Sequence, residues 1–209
     1  MKILGIDEAG RGALIGPLVM TGVLMEDHRL YTINGLKDSK KLTPKQREKI
    51  YKELNTKVKS ITIQIPPQEI DEALESQHLN LNWLEALHIA KLINSFKPDK
   101  VIIDCPSPNI KAYGNYVKRQ LLVKTEMILE HKADERHALV ALASILAKVT
   151  RDNEIKRIEE KIKKTIGSGY PSDPTTQAFL KEHHEEFPFI FRKTWEPYKR
   201  LRQTKLEQF

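Results

Sequence analysis

The chain has 209 residues, with 35 Lys or Arg against 28 Asp or Glu and a net charge of +7. That length can bury a sizeable core as one domain or one plus a small appendage, and the positive balance favours an anionic partner, nucleic acid foremost. One cysteine, Cys105, excludes an intrachain disulfide framework. No apolar run approaches the roughly 18 residues of a membrane span, and the first thirty residues lack the pattern of a secretory signal, so a cytoplasmic protein without membrane contact is expected.

The first element is a strand over 2–7, short and apolar, that runs out at Asp7. Strand side chains alternate between faces, so Asp7 and Glu8 share one site only if the chain turns between them, and Ala9-Gly10-Arg11-Gly12 is expected to supply that turn. The glycine spacing excludes two phosphate-binding loops. Ile15 stands where a dinucleotide fingerprint needs its third glycine, and no Gly-Lys-Ser/Thr follows at P-loop spacing.

Strands over 16–25 and 57–65 follow, the latter alternating polar and apolar, and the three read as an antiparallel meander. Then the period changes. Thr43-Pro44 starts a helix to about 55, Pro66-Pro67 another to about 76, and 79–95 carries apolar residues at helical spacing. Residues 100–104 form a buried strand, 109–119 a helix, 121–129 a strand and 135–164 a long helix. Beyond the break at Gly167–Pro171, helices are expected over 174–186 and 194–204. The order predicts an α/β fold with a mixed five-stranded sheet flanked by helices and a small C-terminal helical appendage, divided as 1–165 and 166–209.

Asp104 ends its strand as Asp7 does, at the carboxyl edge where open α/β sheets carry their sites. Asp134 precedes the long helix; taken alone it reads as an N-cap. That helix is apolar nearly all round from Ala138 to Val149, so it is buried and its start approaches the sheet. Asp7, Glu8, Asp104 and Asp134 can therefore converge. Four converging carboxylates raise one another's pKa unless cations intervene, and hard oxygen ligands suit Mg²⁺ or Mn²⁺. Two such ions roughly 4 Å apart stabilise the attacking and leaving oxygens of a phosphodiester displacement. The seven histidines show no zinc-ligand spacing, and Cys105 reads as packing.

Asp-Glu-Ala-Gly-Arg-Gly at 7–12, Gly16-Pro17-Leu18, Asp38-Ser39-Lys40-Lys41-Leu42, Asp104, Lys132-Ala133-Asp134, the run from Ala143 to Asp152 and Gly-Tyr-Pro-Ser-Asp at 169–173 together resemble ribonuclease HII, in its archaeal form. The resemblance implies a ribonuclease H-like fold and a monomeric endoribonuclease, dependent on two Mg²⁺ or Mn²⁺ ions. It would cleave RNA/DNA hybrids and single ribonucleotides embedded in duplex DNA, leaving 3′-hydroxyl and 5′-phosphate ends. It maps the catalytic, metal-binding acids onto Asp7, Glu8, Asp104 and Asp134. Ala13 and His137-Ala138 depart from the family's usual Pro and aromatic-Pro.

Residues 35–59 hold nine Lys or Arg against three acids. From Lys45 to Lys59 they read as a solvated helix face, whereas Lys40 and Lys41 sit in a loop and, by the resemblance, contact phosphates. Residues 111–124 add four basic side chains and no acid. Telling RNA from DNA requires reading the 2′-hydroxyl, which the main chain of Gly10, Arg11 and Gly12 is expected to do, with the Tyr170 ring against a sugar or base. A DNA nuclease on the same fold, or a binding module without chemistry, are the competing readings; four acids would weaken binding of a polyanion. Gln203, Leu206 and Phe209 resemble the peptide by which replication proteins dock on a sliding clamp, and a single 3₁₀ turn would align them; the bland alternative is a frayed terminus.

Overall fold

A computed structural model describes residues 1–27, 29, 36 and 42–206, the last three by backbone alone. Lys40, Lys41 and Phe209 therefore lie outside the described residues. Strands β1 (Lys2–Ala9), β2 (Leu18–Glu26), β3 (Lys59–Ile65), β4 (Lys100–Asp104) and β5 (Glu126–Glu130) form one sheet in the order β3-β2-β1-β4-β5. β1 pairs antiparallel with β2 and parallel with β4, and β4 pairs parallel with β5, giving the mixed five-stranded sheet that the order of elements predicts. The helices are α1 (Pro44–Leu54), α2 (Pro67–Glu75), α3 (Leu81–Phe96), α4 (Ile110–Arg119), α5 (Ala133–Arg136), α6 (Ala138–Ile162), α7 (Pro174–His183) and α8 (Glu196–Leu206), with a 3₁₀ turn at Pro188–Ile190.

Local chemistry accounts for several boundaries. Thr43 and Gln46 form a reciprocal capping box at α1 with Pro44 in its first turn, and α1 buries no residue, as the solvated-face reading of its lysines requires. Several boundaries differ from expectation, and three of them have a visible cause. β5 starts at Glu126 because the Asn94 side chain takes up the Gln120 carbonyl at 3.1 Å and the Leu122 amide at 2.8 Å, holding 120–122 in a loop. The helix expected over 135–164 is two helices, broken where His137 is extended and its ring reaches Glu130. α8 runs on to Leu206, since no helix breaker follows Pro197, so Gln203 and Leu206 belong to its last turns rather than to a tail beyond it.

The chain divides into two compact units. The first comprises Met1–Ala9, Val19–Ile63 and Asn82–Val149; the second comprises Gly10–Leu18, Gln64–Leu81 and Thr150–Phe209. In the first, Ile3, Val23, Met25 and Ile102 from one face of the sheet pack on Leu139, Val140, Leu142, Ala143 and Leu146 of α6. The approach is close because Gly5 has no side chain: a Cβ there would stand 2.8 Å from the Leu139 carbonyl carbon. On the opposite face, Gly22 makes room for Phe96 and Leu92 of α3 beside Leu4. In the second unit, Leu14, Ile15, Ile155, Ile166, Phe179, Leu180, Ile190, Phe191 and Tyr198 form a separate core.

Candidate active site

Strand alternation decides which acids meet. Ile3 packs on the α6 side and Gly5 abuts Leu139, so Asp7, next in that series, faces the same side. In β4, Ile102 lies opposite Gly5 in register and packs on α6, which puts Asp104 on that side as well. α5 immediately precedes α6 and carries Asp134, which is buried. Carboxylate oxygens of Asp7, Asp104 and Asp134 lie within 4.8 Å of one another.

Glu8 is not in that group. β1 continues unbroken to Ala9, with Asp7 opposite Thr21 and Glu8 opposite Met20, so the turn expected between the two acids comes after both. Glu8 is left on the face of Leu4 and Ile6, half-buried. Its backbone amide donates to Asp7 Oδ1 at 2.7 Å. Burial first, then the charges of Asp104, Glu8 and Glu85 of α3, pushes the Cys105 thiol up, against the hydrogen bond to Ser107. The thiol is buried and donates to the Ser107 carbonyl at 3.6 Å, as its packing reading requires.

Asp134 occupies the second position of α5 and not the N-cap; Lys132 stands at that cap in the left-handed region with φ of 57° and makes no side-chain cap. A latch absent from sequence reasoning holds this turn. Glu130 accepts from Arg136 at 2.8 Å and from the His137 ring at 3.1 Å, while Arg136 also donates to the His131 carbonyl. The His131 ring contacts the Cys105 carbonyl at 3.0 Å, and the Ala133 amide donates to Asp104 Oδ1 at 3.2 Å. Both histidines thus have structural work.

The electrostatics fit a cation centre. Burial first, then the charges of Asp104 and Asp134, push the Asp7 carboxyl up to about 7, against hydrogen bonds from Ser144 and the Glu8 amide that favour its charged form. Ser144 lay in the run from Ala143 to Asp152, but only packing shows that its hydroxyl faces Asp7. Three hard oxygen donors with repelling charges suit a divalent ion such as Mg²⁺ or Mn²⁺.

The second unit holds the glycine loop. Gly10 has φ of 85°, and a Cβ there would meet the Arg151 side chain at 2.7 Å. Arg151 donates to the Ser168 carbonyl at 2.8 Å and lies over the half-buried Tyr170 ring, 4.4 Å from its centroid. The amides of Leu14 and Ile15 both donate to the Gly169 carbonyl. Arg11 is half-buried and Gly12 exposed. Arg192, fully buried, donates to the carbonyls of Gly10, Arg11 and Gly16. Sequence reasoning had no signal for it, since 182 positions separate it from Gly10.

The ribonuclease HII family model matches residues 4–197. The chain belongs to the ribonuclease HII family. Ribonuclease HII of Methanocella arvoryzae is 45% identical over 92% of this chain and 88% of its own. Among solved structures, ribonuclease H2 from Pyrococcus horikoshii OT3 superposes with a TM-score of 0.86 at 40% identity, covering 98% of both chains. The ribonuclease HII of a complex with PCNA from Archaeoglobus fulgidus gives 0.84 at 36% identity, covering 94% of this chain and 96% of that one. Ribonuclease HII cleaves the RNA strand of RNA/DNA hybrids, and membership makes this chain a divalent-metal-dependent nuclease. No described helix is long and apolar enough to cross a membrane.

Proposed function

We propose that this ribonuclease HII cleaves both RNA/DNA hybrids and single ribonucleotides in duplex DNA by a two-metal displacement, acting as a monomer in the cytoplasm and leaving 3′-hydroxyl and 5′-phosphate ends. The observation that carries the reading is the convergence of Asp7, Asp104 and Asp134 on one face of the sheet. Mg²⁺ or Mn²⁺ bound there would supply charge stabilisation at the attacking and leaving oxygens. Asp7 and Asp104 serve as ligands from adjacent parallel strands, and Asp134 from the turn before α6. Ser144 and the Glu8 amide orient Asp7 by hydrogen bonds. Glu8 is carried into the acid set by the family motif alone.

The main chain of Gly10, Arg11 and Gly12 reads the ribonucleotide, and Tyr170 packs on its sugar or base. Lys40 and Lys41 contact phosphates. Gln203, Leu206 and Phe209 dock on a sliding clamp, a reading supported by the PCNA complex of the Archaeoglobus relative.

Incubation with Mg²⁺ or Mn²⁺ and a duplex holding one ribonucleotide tests the reading. Cleavage at that residue is expected, and Asp7→Asn and Asp104→Asn are each expected to abolish it while leaving hybrid binding intact, because losing a charge removes a ligand but relieves repulsion of phosphate. Full activity in either variant overturns the metal centre.

A further inference from the structure

Arg192 is an unusual use of a charged side chain. It is fully buried and donates to three backbone carbonyls: Nη2 to Gly10 at 2.7 Å, Nη1 to Arg11 at 2.7 Å, and Nε and Nη2 to Gly16 at 3.2 Å. Its own amide donates to the Leu14 carbonyl at 2.9 Å, and its guanidinium lies over the Trp195 ring at 4.9 Å, so both ends of the side chain are held. Five donors in a rigid plane match this set of carbonyls; an ammonium offers no such fork.

In a trans peptide the N–H points opposite to the C=O of the preceding residue. With the Gly10 and Arg11 carbonyls turned onto Arg192, the amides of Arg11 and Gly12 project from the other side of the loop. Gly12 is exposed, and a Cβ built on it meets no atom within 4 Å, so there is room there for a ligand. The guanidinium charge also polarises both peptides and strengthens their N–H groups as donors.

We infer that Arg192 is a positioning residue that orients the Arg11 and Gly12 amides as a donor pair for an acceptor oxygen of the substrate, the ribose 2′-oxygen. This rests on the reading of Gly10–Gly12 as the ribonucleotide-sensing loop and assigns the group that sets its orientation.

The test compares two labelled duplexes identical except for one ribonucleotide, with binding measured by fluorescence anisotropy without divalent ions so that neither is cut. Wild type is expected to favour the ribonucleotide duplex. Arg192→Lys is expected to lower that preference roughly tenfold while binding to all-DNA duplex stays within about twofold, and to raise KM for cleavage more than it lowers kcat. Gly12→Pro removes an outward amide without touching the guanidinium, so the same loss of preference is expected even where Arg192 variants do not fold. A folded Arg192→Lys that keeps the wild-type preference overturns the assignment of Arg192 and leaves the loop reading standing, whereas Gly12→Pro with an unchanged preference overturns the Gly12 amide as a reader, and the positioning role with it. A wild type without preference overturns the loop reading, and the positioning role with it.

Discussion

The amide of Ala133 donates a hydrogen bond to Oδ1 of Asp104 at 3.2 Å, so one acid of the cluster fixes the backbone that carries another. Asp104 ends β4, and Ala133 opens the short helix that holds Asp134. Replacing Asp104 by Ala therefore removes a ligand and also an anchor for Asp134. Faster amide exchange over 133–137 is expected in Asp104→Ala than in Asp104→Asn, whose side chain keeps the acceptor oxygen.

Asp7 links pH and metal to stability. Its carboxyl stands at about 7 in the fold against 3.8 ordinarily, raised by burial and by Asp104 and Asp134. A raised acid keeps its proton in the folded state, so its stabilising contribution is present at low pH and is lost as pH rises through about 7. In chelator, the melting temperature of wild type is expected to fall from pH 5 to 8 more steeply than that of Asp7→Asn. Added Mg²⁺ should offset most of the loss at pH 8 in wild type alone. Parallel pH profiles for the two proteins would count against the coupled cluster.

Two glycines separate packing from access. Gly5→Ala drives a Cβ to 2.8 Å from the Leu139 main chain and is expected to cost about 1–3 kcal/mol in urea denaturation, with lost activity because α6 carries Ser144. Gly12→Ala meets no atom within 4 Å and is expected to leave the denaturation midpoint unchanged.

Tyr170 rests on Arg151 with 4.4 Å between guanidinium carbon and ring centroid. Tyr170→Ala is expected to slow cleavage at a lone ribonucleotide severalfold and to cost about 0.5–1 kcal/mol of stability from the lost cation–π contact. Tyr170→Phe keeps the ring and should retain both. A large loss of melting temperature with an unchanged rate would make the ring a packing element only.

Deleting residues 203–209 is expected to abolish binding to a sliding clamp in calorimetry while cleavage of a short duplex is unaffected. α8 already includes Gln203 and the backbone of Leu206, so the first part of the docking segment is helical before it meets the clamp. Clamp binding that survives the deletion would locate the contact elsewhere.

Period and punctuation in the sequence were enough for the order of strands and helices and for the sheet class. The apolar run of α6 foretold a buried helix, and Thr43-Pro44 foretold the start of α1, because both signals are local. The acid set was only partly legible: alternation alone puts Asp7 and Glu8 on opposite faces, but whether the strand ended between them depended on pairing with Thr21 and Met20, which no local pattern encodes. Asp134 looked like a cap because a cap and a buried acid in a short helix share one sequence context; the Glu130, Arg136 and His137 latch separates them in space. Arg192 and Ser144 were invisible for the same reason. Hydrogen bonds across long chain separations have no periodicity to read, and only the folded backbone brings their donors to the carbonyls of Gly10 and Arg11 and to the carboxylate of Asp7.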